Sequence, residues 1–170
     1  MTMSSNFLTA VHIMTYLAHP GTVNTPAPAG HIRSYLAYAD HGVKLVTSDE
    51  IAGVLSTNPV VIRRLVQQLR SAGLVTSVRG KTGGYQLTKP ATDISLLDVF
   101  LAIEGDQVDF FSLAHLDNRA GCSDIANSIQ QTLRPIFAQS LNALKQDLGR
   151  YSVADVLSSA LARLADEPNR

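Results

Sequence analysis

STNPVVIRRLVQQLRSAGLVTSVRGKTGGYQLTKP, residues 56–90, decides the fold of this chain. It opens on a turn, Ser56-Thr57-Asn58-Pro59. There Asn58 suits a helix N-cap, and Pro59 suits the first helical position, where its missing N–H does no harm. Val61, Ile62, Leu65, Val66 and Leu69 then recur at helical spacing as an inward stripe, with Arg63, Arg64, Gln67 and Gln68 outward. Gly73 followed by Leu74 predicts a left-handed C-cap with its apolar contact, so the helix stops near Ala72. Two short apolar or β-branched runs, Leu74 to Val78 and Tyr85 to Thr88, flank a flexible basic tip from Arg79 to Gly84. Just upstream, Thr47-Ser48-Asp49-Glu50 forms a capping box that starts another helix at Ile51. The order is helix, turn, helix and two-stranded wing.

The charge of this region is hidden in the whole. The 170 residues carry 14 basic and 14 acidic side chains, yet residues 51–92 hold Arg63, Arg64, Arg70, Arg79, Lys81 and Lys89 and no acid. Residues 93–170 hold six basic and eleven acidic side chains. A local cationic field inside a neutral chain is the electrostatic footprint of a surface that meets phosphates.

Outward from that core, Phe7 to Ala18 spaces its apolar residues by three and four and reads as an amphipathic helix. His12 and His19, on it or just past it, lack a Cys or carboxylate neighbour and read as solvated or capping histidines. Residues 20–30 hold three prolines and two glycines and predict a loop, with a short helical piece at 31–39. Ser95 to Asp98 is a second capping box, opening a helix that ends on Gly105. From Ile125, the series Ile129, Leu133, Ile136, Phe137, Leu141, Leu144 and Leu148 keeps a helical interval over more length than a small winged-helix core needs. Its apolar face is expected to bind a second copy of the chain, with Pro135 kinking the helix or dividing it in two. Ser152 to Ala165 predicts a terminal helix capped by Ser152 and Asp155. The expected fold is mainly α with a small β-wing. Residues 1–105 would form the DNA-binding domain, with an inserted loop at 20–42. Residues 106–170 would form a linker, the dimerisation helix and the C-terminal helix.

A helix-turn-helix reads duplex DNA by laying its second helix in the major groove. That placement brings Thr47, Ser48, Thr57, Asn58, Val60, Arg63 and Arg64 to the groove, and Arg79 and Lys81 to backbone or minor groove. Arginine suits guanine, asparagine suits adenine, and Val60 suits a thymine methyl. The alternative is a winged-helix interaction module whose basic face binds an acidic protein. No Ser-His-Asp order, phosphate loop or paired carboxylate suggests an enzyme. No leader and no apolar run near the roughly 20 residues of a membrane span is present, so a cytoplasmic protein is expected.

Ser48-Asp49-Glu50-Ile51-Ala52, NPVVIRRLVQQLRSAGLV, SVRGKTGGYQL and ISLLDVFLAIEG together resemble the Rrf2 family of bacterial winged-helix regulators. The resemblance implies DNA contact at Asn58, Val60, Arg63 and Arg79, and a homodimer through Ile125 to Leu148 on near-palindromic operators. Several members hold an iron-sulfur cluster on three cysteines after the second capped helix. This chain has Cys122 alone, and it resembles the cluster-free, YwnA-like branch, so no cofactor or metal is expected. The inserted loop is the other departure from the family pattern. Regulation is expected from a small-molecule or oxidant effector, with Cys122 and His115 as the candidate residues. The plainer readings, a small buried side chain and a surface histidine, weigh more than these roles.

Overall fold

The structure, a computed structural model, describes residues 5–19, 45–80, 83–105 and 124–166. In chain order these form α1 (Ser5–Ala18), α2 (Ser48–Val54), α3 (Pro59–Ser71), β1 (Val75–Val78), β2 (Gly84–Leu87), a 3-10 turn (Ala91–Asp93), α4 (Leu96–Glu104), α5 (Asp124–Leu148) and α6 (Val153–Asp166). The architecture is therefore mainly α with a small antiparallel wing. The inserted loop at 20–42 with the helical piece expected at 31–39, Lys81, His115 and Cys122 lie outside the described residues.

Local chemistry sets the element boundaries. Thr47 Oγ1 accepts from Glu50 N and the Glu50 carboxylate accepts from Thr47 N at 2.7 Å, which closes the capping box of α2. Ser95 with Asp98 and Ser152 with Asp155 make the same reciprocal pair ahead of α4 and α6. The end of α3 is a full Schellman motif: Gly73 has φ 73°, its N–H donates to Arg70, and Leu74 N donates to Leu69 O at 3.0 Å.

One core joins most of these elements. Ile13 and Met14 of α1, Ile51 of α2, Ile62, Leu65 and Leu69 of α3, and Val99 and Phe100 of α4 are all fully buried. Phe7 and Phe100 meet edge to face with ring centroids 5.5 Å apart. The last helix belongs to this core, because Val153 is fully buried in it and α6 packs on α1. An antiparallel bridge between Ser95 and Ser152 ties the starts of α4 and α6 together, with Leu96 N donating to Tyr151 O and Val153 N to Ile94 O.

The long helix α5 is different. None of its 25 residues is buried. At about 1.5 Å rise per residue it is some 37 Å long, and it touches the rest of the described chain chiefly beside α4. Of the two outcomes expected at Pro135, division is not taken: one helix runs through it from Asp124 to Leu148. A missing N–H and one displaced carbonyl are tolerable where the surrounding backbone is exposed to water.

Candidate nucleic-acid interface

The turn between α2 and α3 is closed by Ser56, which adopts φ 48°, and by Thr57 N donating to Ala52 O at 3.0 Å. This crossing leaves the far side of α3 to solvent. Val60 is 64% exposed there, and Arg63, Arg64, Gln67 and Arg70 are exposed beside it. Asn58 caps the helix, its Oδ1 accepting from Val60 N at 2.8 Å. The cap uses one lone pair of that oxygen. The Nδ2 donors and the second lone pair of Oδ1 remain for a base edge.

The wing is anchored more firmly than its glycine-rich sequence suggests. β1 and β2 pair antiparallel with Val75 opposite Leu87 and Val78 opposite Gly84. Val46, the residue before the α2 cap, bridges Tyr85 through two backbone hydrogen bonds of 3.1 and 2.8 Å. Gly84 makes this approach feasible, since a Cβ there would lie 2.8 Å from Val46 N. A Cβ on Gly83 would collide with the Val78 carbonyl oxygen. Between the wing and α3 lies an open cleft of about 310 Å³ whose walls include Arg70, Arg79, Ser77 and Thr47. Among the described residues, neither Arg70 nor Arg79 has a carboxylate within ion-pair distance, so both guanidinium charges remain available to an anion. Arg70 donates only to the neutral Gln67 Oε1, at 3.3 Å.

The sequence window without acids is not acid-free in space. Asp49, two residues before that window, reaches Arg63 Nη2 at 3.1 Å, and Asp98, beyond its other end, lies 3.9 Å from Lys89. Ser48 is buried behind Arg63 rather than displayed, and its Oγ accepts from Arg63 Nε at 3.0 Å. Arg64 turns the other way and donates to Asn6 Oδ1 of α1 at 3.0 Å. Thr47 is half-buried with its hydroxyl engaged in the capping box, and Thr57 is half-buried. No linear motif signals the roles of Asp49, Asn6 or Val46, because each acts through a contact made only by the crossing of α1, α2 and α3 or by the return of the wing.

Of the candidate pairing residues, Ile125 and Ile129 are 72% and 53% exposed. Leu133, Phe137, Leu141, Leu144 and Leu148 are half-buried, with Leu148 resting against the core. His12 and His19, together with Tyr16, Val54, Leu161 and Leu164, line a separate apolar groove of about 360 Å³ between α1, the end of α2 and α6. Among the described residues no cluster of His, Cys, Asp or Glu is arranged to hold a metal, and no helix is long and apolar enough to cross a membrane.

Comparison with known proteins fits this geometry. The Rrf2 family, described as iron-dependent transcriptional regulators, matches residues 28–159. The chain belongs to the Rrf2 family. Its relatives include the Bacillus subtilis protein YwnA, named as a candidate HTH-type transcriptional regulator, which is 35% identical over 133 residues covering 75% of this chain and 97% of YwnA. A candidate transcriptional regulator from Lactobacillus plantarum superposes with a TM-score of 0.65 at 26% identity, covering 91% of this chain and 89% of that one. The fold is also that of the global cysteine regulator CymR of B. subtilis, with a TM-score of 0.61 at 22% identity, over 94% of this chain and 98% of CymR. This Rrf2 protein is thus a DNA-binding transcriptional regulator and not an enzyme. The family description carries iron, but the donor set here does not fit a cysteine-held cluster: such clusters draw on several thiolates, and the whole chain has one cysteine.

Proposed function

We propose that this protein is a cytoplasmic, cluster-free regulator that binds a near-palindromic operator as a homodimer and represses by occupying it. The cationic face of α3 and the wing carries the reading. In this reading Val60 and Arg63 meet base edges, Asn58 and Thr57 meet the start of the groove, and Arg70, Arg79 and the wing lysine Lys81 meet phosphates. Residues 1–105 would supply this readout and residues 106–170 the pairing. Support for the homodimer comes from α5, where Ile125, Ile129 and Ile136 are at least half exposed and no residue is fully buried among the described residues. Two-fold pairing of two such helices buries both faces, and a symmetric protein calls for a symmetric site. Repression needs nothing beyond occupancy. An effector acting through His115 or Cys122 belongs to the same proposal.

Salt titration tests the DNA reading. Contacts to several phosphates predict a steep fall of log affinity with log salt on duplex DNA, and Lys81→Ala should flatten the slope by about one unit. Weak duplex binding with no sequence preference would favour an acidic protein partner and sink the proposal. Protein purified without air should carry no stoichiometric iron or sulfide. Finding both would overturn the cluster-free reading and point to ligands shared between subunits.

A further inference from the structure

The contacts of Arg63 bear on how the proposed interface discriminates sequence. Its Nε donates to Ser48 Oγ at 3.0 Å and its Nη2 to Asp49 Oδ1 at 3.1 Å, so one side of the guanidinium is held by α2. Ser48 is the one polar residue buried among the described residues, and this contact uses its hydroxyl. Two of the five guanidinium N–H groups are thereby engaged. The outer edge, formed by Nη1 and the second proton of Nη2, is left to present two parallel donors, the arrangement that guanine O6 and N7 accept.

We propose that Asp49 and Ser48 are positioning residues for Arg63, fixing its guanidinium for guanine and thereby setting sequence specificity rather than overall affinity. The inference rests on the DNA-reading function proposed above. The Arg63 and Asp49 side chains are 53% and 68% exposed, so the ion pair contributes little to stability. Its effect is on orientation: the rotamer freedom of a long side chain is lost on folding instead of on binding. A carboxylate beside a phosphate surface also repels DNA of any sequence, a cost that the guanine contact of a fixed Arg63 offsets on the cognate site alone. Asp49 therefore acts with opposite sign on the two kinds of duplex. A general structural role in α2 would not do so.

The test compares full-length wild type, Asp49→Ala, Asp49→Asn, Arg63→Ala and the Asp49→Ala/Arg63→Ala double variant. Each is titrated against a duplex enriched from a random pool and a scrambled duplex of equal length, at one salt concentration. Asp49→Ala should lower the ratio of specific to scrambled affinity about tenfold while scrambled binding holds or tightens. Asp49→Asn keeps an acceptor without its charge and should lose about threefold. On the Arg63→Ala background, Asp49→Ala should leave the ratio unchanged. An unaltered ratio in Asp49→Ala would overturn the proposal, as would tighter specific binding, which would mean that Asp49 competes with DNA for Arg63. Equal losses on both duplexes would assign Asp49 to helix stability and overturn it too. If wild type itself shows no sequence preference, the DNA-reading function fails and this inference fails with it. If wild type discriminates but the variants match it, only the inference fails.

Discussion

In α3, Ile62, Leu65, Val66 and Leu69 are at most 1% exposed, whereas in α5 Ile125, Ile129 and Ile136 are between 50% and 72% exposed. Both helices carry an apolar stripe with polar residues opposite, and their sequences look alike at that level. The stripe of α3 is covered by α1, α2 and α4, which hold its other face out to solvent at a fixed angle. The stripe of α5 meets the core at its end through Leu148, while Ile125, Ile129 and Ile136 stand at least half exposed. Periodicity tells that a helix has an apolar face, and only packing tells which partner takes it. The difference divides the labour: α3 depends on its own chain for rigidity, and α5, in the proposed homodimer, depends on a second chain.

Matched substitutions in the two helices should therefore give opposite phenotypes. Leu65→Ala removes a fully buried side chain from α3 and should cost about 3 kcal/mol of folding stability, read as a lowered denaturation midpoint at any protein concentration. A near-neutral result would mean that the α3 core is looser than its burial indicates. Leu141→Glu in α5 should leave the helix content intact and give monomers, with operator binding weaker by about a hundredfold through loss of the second half-site. Gln146→Glu, on an exposed position of the same helix, is the control. If Leu141→Glu stays dimeric, the pairing face lies elsewhere.

How much of this was legible depends on the range of the interactions involved. Capping boxes at Thr47, Ser95 and Ser152, the Asn58-Pro59 start and the Gly73 stop are all set by residues within a few positions, and the sequence predicts each of them. Contacts across the fold were not legible. The Val46–Tyr85 bridge at Gly84, and the close return of the wing past Val78 at Gly83, turn both glycines from a flexible tip into a steric requirement. Asp49 reaches Arg63 over 14 positions and Arg64 reaches Asn6 over 58, so a window of sequence free of acids became a surface on which Arg63 and Lys89 are each already paired with an acid. The bridge from Ser95 to Ser152 likewise draws the last helix into the core, whereas the sequence pattern groups it with the long helix.

The smallest expected effect sharpens where the core ends and α5 begins. Asp155 accepts from Ser152 N at 2.8 Å and from Ser152 Oγ at 2.7 Å, and the backbone bond first and the hydroxyl second lower its pKa below the ordinary 3.8. A lowered folded pKa means that the contact stabilises α6 above the unfolded value and that this contribution fades as pH falls through the folded one. Carboxyl titration by NMR should place Asp155 below ordinary aspartate, and Ser152→Ala should return it upward. A midpoint at or above the ordinary value would indicate a frayed cap and a last helix less firmly seated than α3.

Selection of bound sites from a random duplex pool, using full-length protein, tests the central claim most directly. Two cationic reading helices held by paired α5 helices predict enrichment of two half-sites related by two-fold symmetry, with centres about one DNA turn, roughly 34 Å, apart. Enrichment of a single unsymmetric site, or of none, would contradict the account.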